Sequence, residues 1–172
     1  MRKVAVILGS DSDLPNLECT FKTLNHMAIP FEVHIYSAHR TPLEAIDFAK
    51  NSEANGFGVI IAAAGKAAHL AGTLASNTIL PVIGIPISAR PFDGMDALLS
   101  TVQMPNGVPV ATVAIDGALN AALLAVEILA LTNDELRHKL LEQRDQMRRS
   151  VLEKDKHLQM NDLIRQAGVN HD

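Results

Sequence analysis

The sequence predicts an α/β protein, a three-layer αβα sandwich on a parallel sheet of about five strands. Three observations lead there. Five short apolar runs bounded by turn residues alternate with segments of helical period, and such alternation joins parallel strands through right-handed crossovers. Ala, Ile, Leu and Val supply the apolar mass, with aromatics at only 3% and no Trp, which suits helices packed on a buried sheet. A chain of 172 residues that is 48% hydrophobic can close one core and is too apolar to be disordered over most of its length.

The elements follow in order. Val4–Leu8, Phe31–Tyr36, Gly58–Ala63, Val82–Ile85 and Ala111–Ile115 each read as a buried strand. Leu14–Met27, Pro42–Asn55, Ala67–Ser76, Met95–Val102 and Ala118–Leu131 read as the helices between and after them. Thr41-Pro42-Leu43-Glu44 has the form of a capping box with Pro at the first helical position, and Thr132-Asn133-Asp134-Glu135 that of a second capping box. Residues 1–132 are expected to be the α/β core, with 133–172 a helical extension of the same domain and Asn170-His171-Asp172 frayed at its end.

Charge is distributed unevenly. The first 132 residues hold 7 basic and 11 acidic side chains, about 14% charged against roughly 25% in an ordinary domain, so much of that surface is expected to be covered by copies of the chain. From Thr132 onward charge is dense, while Leu136, Leu140, Met147, Val151 and Leu158 form one helical stripe. That stripe either folds back on its own domain or docks on a neighbouring subunit. A net charge of −4 without a basic run argues against nucleic-acid binding. The single cysteine, Cys19, excludes an intrachain disulfide and a cysteine-based zinc site. The run Val4–Leu8 is too short for a signal h-region and no stretch is long enough to span a membrane, so a soluble, cytoplasmic protein is expected.

In a sheet of this kind ligands bind beyond the carboxyl ends of the strands. Gly9-Ser10-Asp11-Ser12-Asp13 follows the first strand and opens a helix. It reads either as an anion site, with Ser10 adding a hydroxyl donor, or as a plain cap through Ser12 or Asp13. Ser37-Ala38-His39-Arg40 follows the second. Arg40 is one of few cations in the body, and its guanidinium fork matches a phosphate, while an imidazole such as that of His39 can move a proton near neutral pH. Gly65-Lys66-Ala67-Ala68-His69 follows the third strand. It has Ile60 and Ala67 where a P-loop needs Gly and Ser or Thr, so its small residues suggest close approach to a ligand, with His69 either at the ligand's edge or structural. Pro86-Ile87-Ser88-Ala89-Arg90 follows the fourth. His26, His34, His138, His157 and His171 read as surface or partner-facing residues, and His34 with His39 lacks a third ligand, so no metal site is expected. A phosphorylation receiver domain needs an Asp where the third strand ends Ala62-Ala63-Ala64, and the scarcity of aromatics leaves a flavin ring without stacking partners.

Together, Gly9-Ser10-Asp11-Ser12-Asp13, Ser37-Ala38-His39-Arg40-Thr41-Pro42, Ala67-Ala68-His69-Leu70 and Ser100-Thr101-Val102-Gln103-Met104-Pro105 resemble the class I aminoimidazole ribonucleotide carboxylase family, the 5-(carboxyamino)imidazole ribonucleotide mutases. Further similarity runs through Pro81–Pro86 and Asn120–Ala125, so the resemblance covers nearly the whole chain. It implies a flavodoxin-like subunit of a homo-octamer in de novo purine biosynthesis. The reaction would move a carboxyl group from the exocyclic nitrogen to the ring carbon without ATP, metal or other cofactor. Ser10, Ser37 and Arg40 would hold the phosphate and Asp13 the ribose hydroxyls. His39 would be the general acid and base, and the loop from Ala63 to Ala68, with Gly65, would retain carbon dioxide beside His69. Three departures stand out: Lys66 where many members have Gly, Ala71 where Pro is frequent, and the run Ser88–Asp93. Lys66 and Arg90 either reach a substrate anion or face solvent. The nearest alternative is the direct carboxylase using carbon dioxide, which typically has Lys after the histidine and a Gly-Arg-Ser-Asn-like loop. A non-enzymatic ribonucleotide-binding module is the other.

Overall fold

The computed structural model describes residues 1–160 of the chain. Five parallel strands form one sheet: β1 (Lys3–Leu8), β2 (Phe31–Ile35), β3 (Phe57–Gly65), β4 (Val82–Ile87) and β5 (Ala111–Thr112), in the order β2-β1-β3-β4-β5. The α-helices are α1 (Glu18–His26), α2 (Pro42–Asn51), α3 (Leu70–Ala75), α4 (Met95–Val102), α5 (Ala118–Ala130) and α6 (Asp134–Met160). A 3₁₀ helix over Asp11–Leu17 precedes α1.

Alternation along the strands sends side chains to two faces, giving two cores. Val4, Val6, Leu8, Val59 and Ile61 pack with α1, α5 and the start of α6 on one face, while Ala5, Ile7, Ile60 and Ala62 pack with α2 and α3 on the other. This is the three-layer sandwich expected from the alternation of elements, and it has the flavodoxin-like form that the family resemblance implies. β1 and β3 lie side by side while the chain leaves them in opposite directions, and that switch point opens the crevice in which such sheets bind ligands.

Several local expectations change. β2 is not buried: Val33 is 37% and Ile35 48% exposed, because β2 is the sheet edge and has only β1 beside it. β5 pairs over two residues rather than five. Val113 N–H and Asp116 N–H still donate to the carbonyls of Gly84 and Pro86, at 3.0 and 2.9 Å. Residue 86 therefore turns its backbone toward β5, and as proline it has no N–H to return to the ladder. The first helical segment begins as a 3₁₀ turn containing Pro15 and becomes α-helical only at Glu18. The capping boxes are also different. Thr41 Oγ1 does not cap α2; it accepts from Ser37 N–H at 2.8 Å and donates to the Ser37 carbonyl at 3.2 Å. In the second box the cap is Asn133, whose Oδ1 accepts from Leu136 N–H at 3.1 Å, rather than Thr132.

The apolar stripe of α6 divides. Leu136 is fully buried and Leu140 packs on the core, whereas Met147, Val151 and Leu158 are 56%, 64% and 54% exposed. The first turns of α6 therefore fold back on the domain and the later turns project beyond it. No helix among the described residues is long and apolar enough to cross a membrane. His171 and the expected frayed end lie outside the described residues.

Candidate active site

The carboxyl ends of β1 to β4 frame a cleft of about 640 Å³, within the roughly 300–1,000 Å³ range of small-molecule sites. Its construction starts from the loop after β1. Ser10 lies in extended backbone, and its Oγ accepts from Ser12 N–H at 3.3 Å and from Ser12 Oγ at 2.9 Å. Ser10, rather than Ser12 or Asp13, is thus the cap of the 3₁₀ turn. Asp13 is half-buried at the cleft wall, and burial, outweighing a hydrogen bond from Ser12, pushes its carboxyl above the ordinary Asp value.

The loop after β2 is tied to the loop after β1 by Arg40. Its backbone N–H and Nε donate to Ser37 Oγ at 3.2 and 3.4 Å, and its Nη2 donates to the Gly9 carbonyl at 3.1 Å. The guanidinium is held between the Ser37 hydroxyl and the Gly9 carbonyl and yet remains exposed, with donors left for an incoming oxyanion. Ser10, Ser37, Arg40 and Asp13 all line the cleft, and the bond from Arg40 to the Gly9 carbonyl brings its loop against the residue before Ser10.

The loop after β3 supplies the other wall. β3 runs two residues further than the apolar pattern suggests, to Gly65, and residues 67–69, expected to open the helix, belong to a loop instead. Lys66 takes φ 56° and His69 N–H bonds the Ala67 carbonyl at 2.9 Å, so the chain turns sharply before α3 begins. A Cβ at Gly65 would sit 3.2 Å from the Ile87 carbonyl oxygen, so this loop lies close against the end of β4. The turn places His69 against His39: Nδ1 of His69 and Nε2 of His39 are 2.7 Å apart, with the rings edge to face at 81°. One imidazole of this pair must donate and the other accept, so both cannot be fully protonated while the contact lasts.

All the candidate residues, Ser10, Asp13, Ser37, His39, Arg40, Gly65 and His69, line this single cleft. The direct contact between His39 and His69, 30 positions apart, has no signal in the sequence. Ser88 and Ala89 also reach the cleft, where Asp116 Oδ1 accepts from Ser88 N–H at 2.9 Å, while Arg90 is exposed and outside the lining. Asp116 was not singled out by spacing, because its role is to position a loop 28 residues away. Lys66, the other cation among the sequence departures, does line the cleft. His26, His138 and His157 are exposed, and His34 stacks on Tyr36 at 5.5 Å away from the cleft lining. No cluster of His, Cys, Asp and Glu suited to a metal ion occurs among the described residues.

Residues 3–150 match the AIR carboxylase family. An N5-carboxyaminoimidazole ribonucleotide mutase of Pyrococcus horikoshii is 53% identical over 91% of this chain and 88% of its own length. One from Thermotoga maritima is 50% identical over 92% and 93% respectively. A chloroplastic phosphoribosylaminoimidazole carboxylase of Vigna aconitifolia is 49% identical over 85% of this chain, which corresponds to 26% of that longer protein. Among solved structures, PurE of Treponema denticola superposes with a TM-score of 0.83 at 28% identity, covering 90% of this chain and 97% of that one.

Proposed function

The chain belongs to the AIR carboxylase family, and from that premise we propose how its cleft carries out the mutase reaction of purine biosynthesis. The enzyme is an isomerase that converts 5-(carboxyamino)imidazole ribonucleotide to 5-amino-4-imidazolecarboxylate ribonucleotide. One observation carries the residue assignment: the Arg40–Ser37–Ser10 cluster and the His39–His69 pair line the same cleft.

Ser10, Ser37 and Arg40 hold the phosphate, and Asp13 accepts from the ribose hydroxyls. His39 gives a proton to the exocyclic nitrogen as its bond to the carboxyl carbon breaks, releasing carbon dioxide. The electron-rich ring carbon then attacks that carbon dioxide, and the proton displaced from the ring carbon returns to His39. The proton count balances over the cycle, so one group serves as acid and then as base. The loop around Gly65 keeps the carbon dioxide against the ring, and proximity replaces a bimolecular capture. His69, in contact with His39 Nε2, orients that imidazole for both transfers.

The reading extends to assembly: a cytoplasmic homo-octamer. Met95, Leu99 and Val102 on α4 are 51%, 51% and 47% exposed, and Ile79 is 86% exposed, apolar surface that self-association would cover. The reaction is tested by offering purified protein the carboxyamino substrate, and separately aminoimidazole ribonucleotide with bicarbonate, in the absence of ATP and added metal. Fast conversion of the first with poor use of the second is expected. Efficient use of dissolved carbon dioxide would replace the mutase with the direct carboxylase, and binding without conversion of either would leave a nucleotide-binding module.

A further inference from the structure

We propose that Lys66 is the carboxylate-binding residue of the cleft, its ammonium holding the migrating carboxyl group in both substrate and product. The proposal rests on the mutase reading above and adds a recognition element to it.

The first observation is conformational. Lys66 has φ 56°, a region that a residue with a Cβ enters at a cost and glycine does not. The other non-glycine residues in this region have local reasons. Asp93 and Asp116 are of a type that tolerates it, and Ala28 closes α1, where Ile29 N–H reaches back to the Leu24 carbonyl. Lys66 closes no helix and belongs to no tolerant type. Its neighbour Gly65 is small for a separate reason, since a Cβ there would sit 3.2 Å from the Ile87 carbonyl oxygen. Glycine would satisfy the backbone at residue 66 better than lysine does. A side chain kept at a strained position on a cleft wall points to a use for that side chain.

The second observation is the charge layout. Of the Lys and Arg residues described, Arg40 and Lys66 are those that line the cleft, and Asp13 is the carboxylate that does so. Arg40 is tethered to Ser37 and Gly9 at the serine end. Lys66 is carried by the opposite loop, three residues before His69, and its ammonium makes no ion pair or hydrogen bond among the described residues. The substrate carries two anionic groups, a phosphate and a carboxylate, so two cations on facing loops match its two ends. Carbon dioxide between the two half-reactions is neutral. Lys66 therefore holds the carboxylated states more tightly than the intermediate, and its removal should raise KM without lowering kcat.

Calorimetry with two ligands tests this: the carboxylated product, 5-amino-4-imidazolecarboxylate ribonucleotide, and aminoimidazole ribonucleotide, which lacks the carboxylate. Lys66→Met and Lys66→Gly should each weaken the product by about tenfold or more and leave aminoimidazole ribonucleotide within about twofold, while Lys66→Arg restores most of the product affinity. In turnover, Lys66→Met should raise KM without lowering kcat. Lys66→Gly should also melt higher than the parent, separating loss of the ammonium from damage to the fold. Equal weakening of both ligands, or unchanged product affinity in an active enzyme, would overturn the proposal and leave the mutase intact. A parent protein that neither binds nor converts these nucleotides would remove the mutase reading and Lys66 with it.

Discussion

Replacing Arg40 with Ala separates binding from chemistry, and its size follows from the site. The guanidinium donates through Nε to Ser37 Oγ at 3.4 Å and through Nη2 to the Gly9 carbonyl at 3.1 Å, and it is otherwise open to the cleft. Loss of two exposed hydrogen bonds costs the fold about 1 kcal/mol or less. Binding loses much more, because a phosphate in the cleft would be left without its cation. Truncating one partner of a desolvated charge pair costs about 2 to 5 kcal/mol, and the exposure of Arg40 argues for the lower end, about thirtyfold in Kd. Calorimetry with aminoimidazole ribonucleotide measures this directly, and the deficit should shrink as salt screens the charge. Arg40→Lys should recover only part of the affinity, since an ammonium cannot keep the Gly9 tether and also present a planar fork. Parental affinity in Arg40→Ala, in a protein that still folds, would refute the phosphate assignment.

Three other outcomes are expected. His39→Asn should lower kcat by at least about a hundredfold while aminoimidazole ribonucleotide binds nearly as before; turnover within tenfold of the parent would take the proton-transfer role away from His39. Asp13→Asn should melt higher than the parent at pH 7, because burial raises the Asp13 pKa and the folded chain resists its ionisation. The sign is that the folded state binds the Asp13 proton more tightly, so parental stability falls as pH rises from the ordinary Asp value through the raised one, and the advantage of Asn should vanish in acid. Melting curves that coincide at pH 7 would contradict that account. In α6, Met147→Lys combined with Val151→Lys should abolish assembly if the projecting stripe docks on a neighbour, without disturbing Leu136 and Leu140 in the core. A full-sized particle by sedimentation would assign that stripe to another role. Cutting the chain before Thr132 is the poorer experiment, since it also strips buried Leu136 from the domain.

Much of this protein can be read from local order along the chain. Apolar runs at period 2 or unbroken, separated by segments of period 3.6, are enough for the five strands, the helices and the sandwich they make, because burial follows side-chain direction and side-chain direction follows backbone period. Met95–Val102 is the same helix in both readings. The polar residues of the site were legible for a related reason. At the carboxyl end of a buried strand, a serine, histidine or arginine stands out against its apolar neighbours.

Tertiary neighbours decided the rest. Val33 and Ile35 have the sequence of a buried strand, and only the strand order makes them an edge. β5 pairs with β4 over two residues only, and further along β4 the residue facing it is Pro86, which has no N–H to give. Thr41 has the sequence of a cap and instead braces the Ser37 backbone. The His39–His69 contact, the loop at 66–69 and the left-handed turn at Lys66 arise where β3 ends beside β4, and Gly65 meets the Ile87 carbonyl there. Period and composition report how each segment meets water; which two segments meet each other is a property of the sheet order, and the active cleft is built from those meetings.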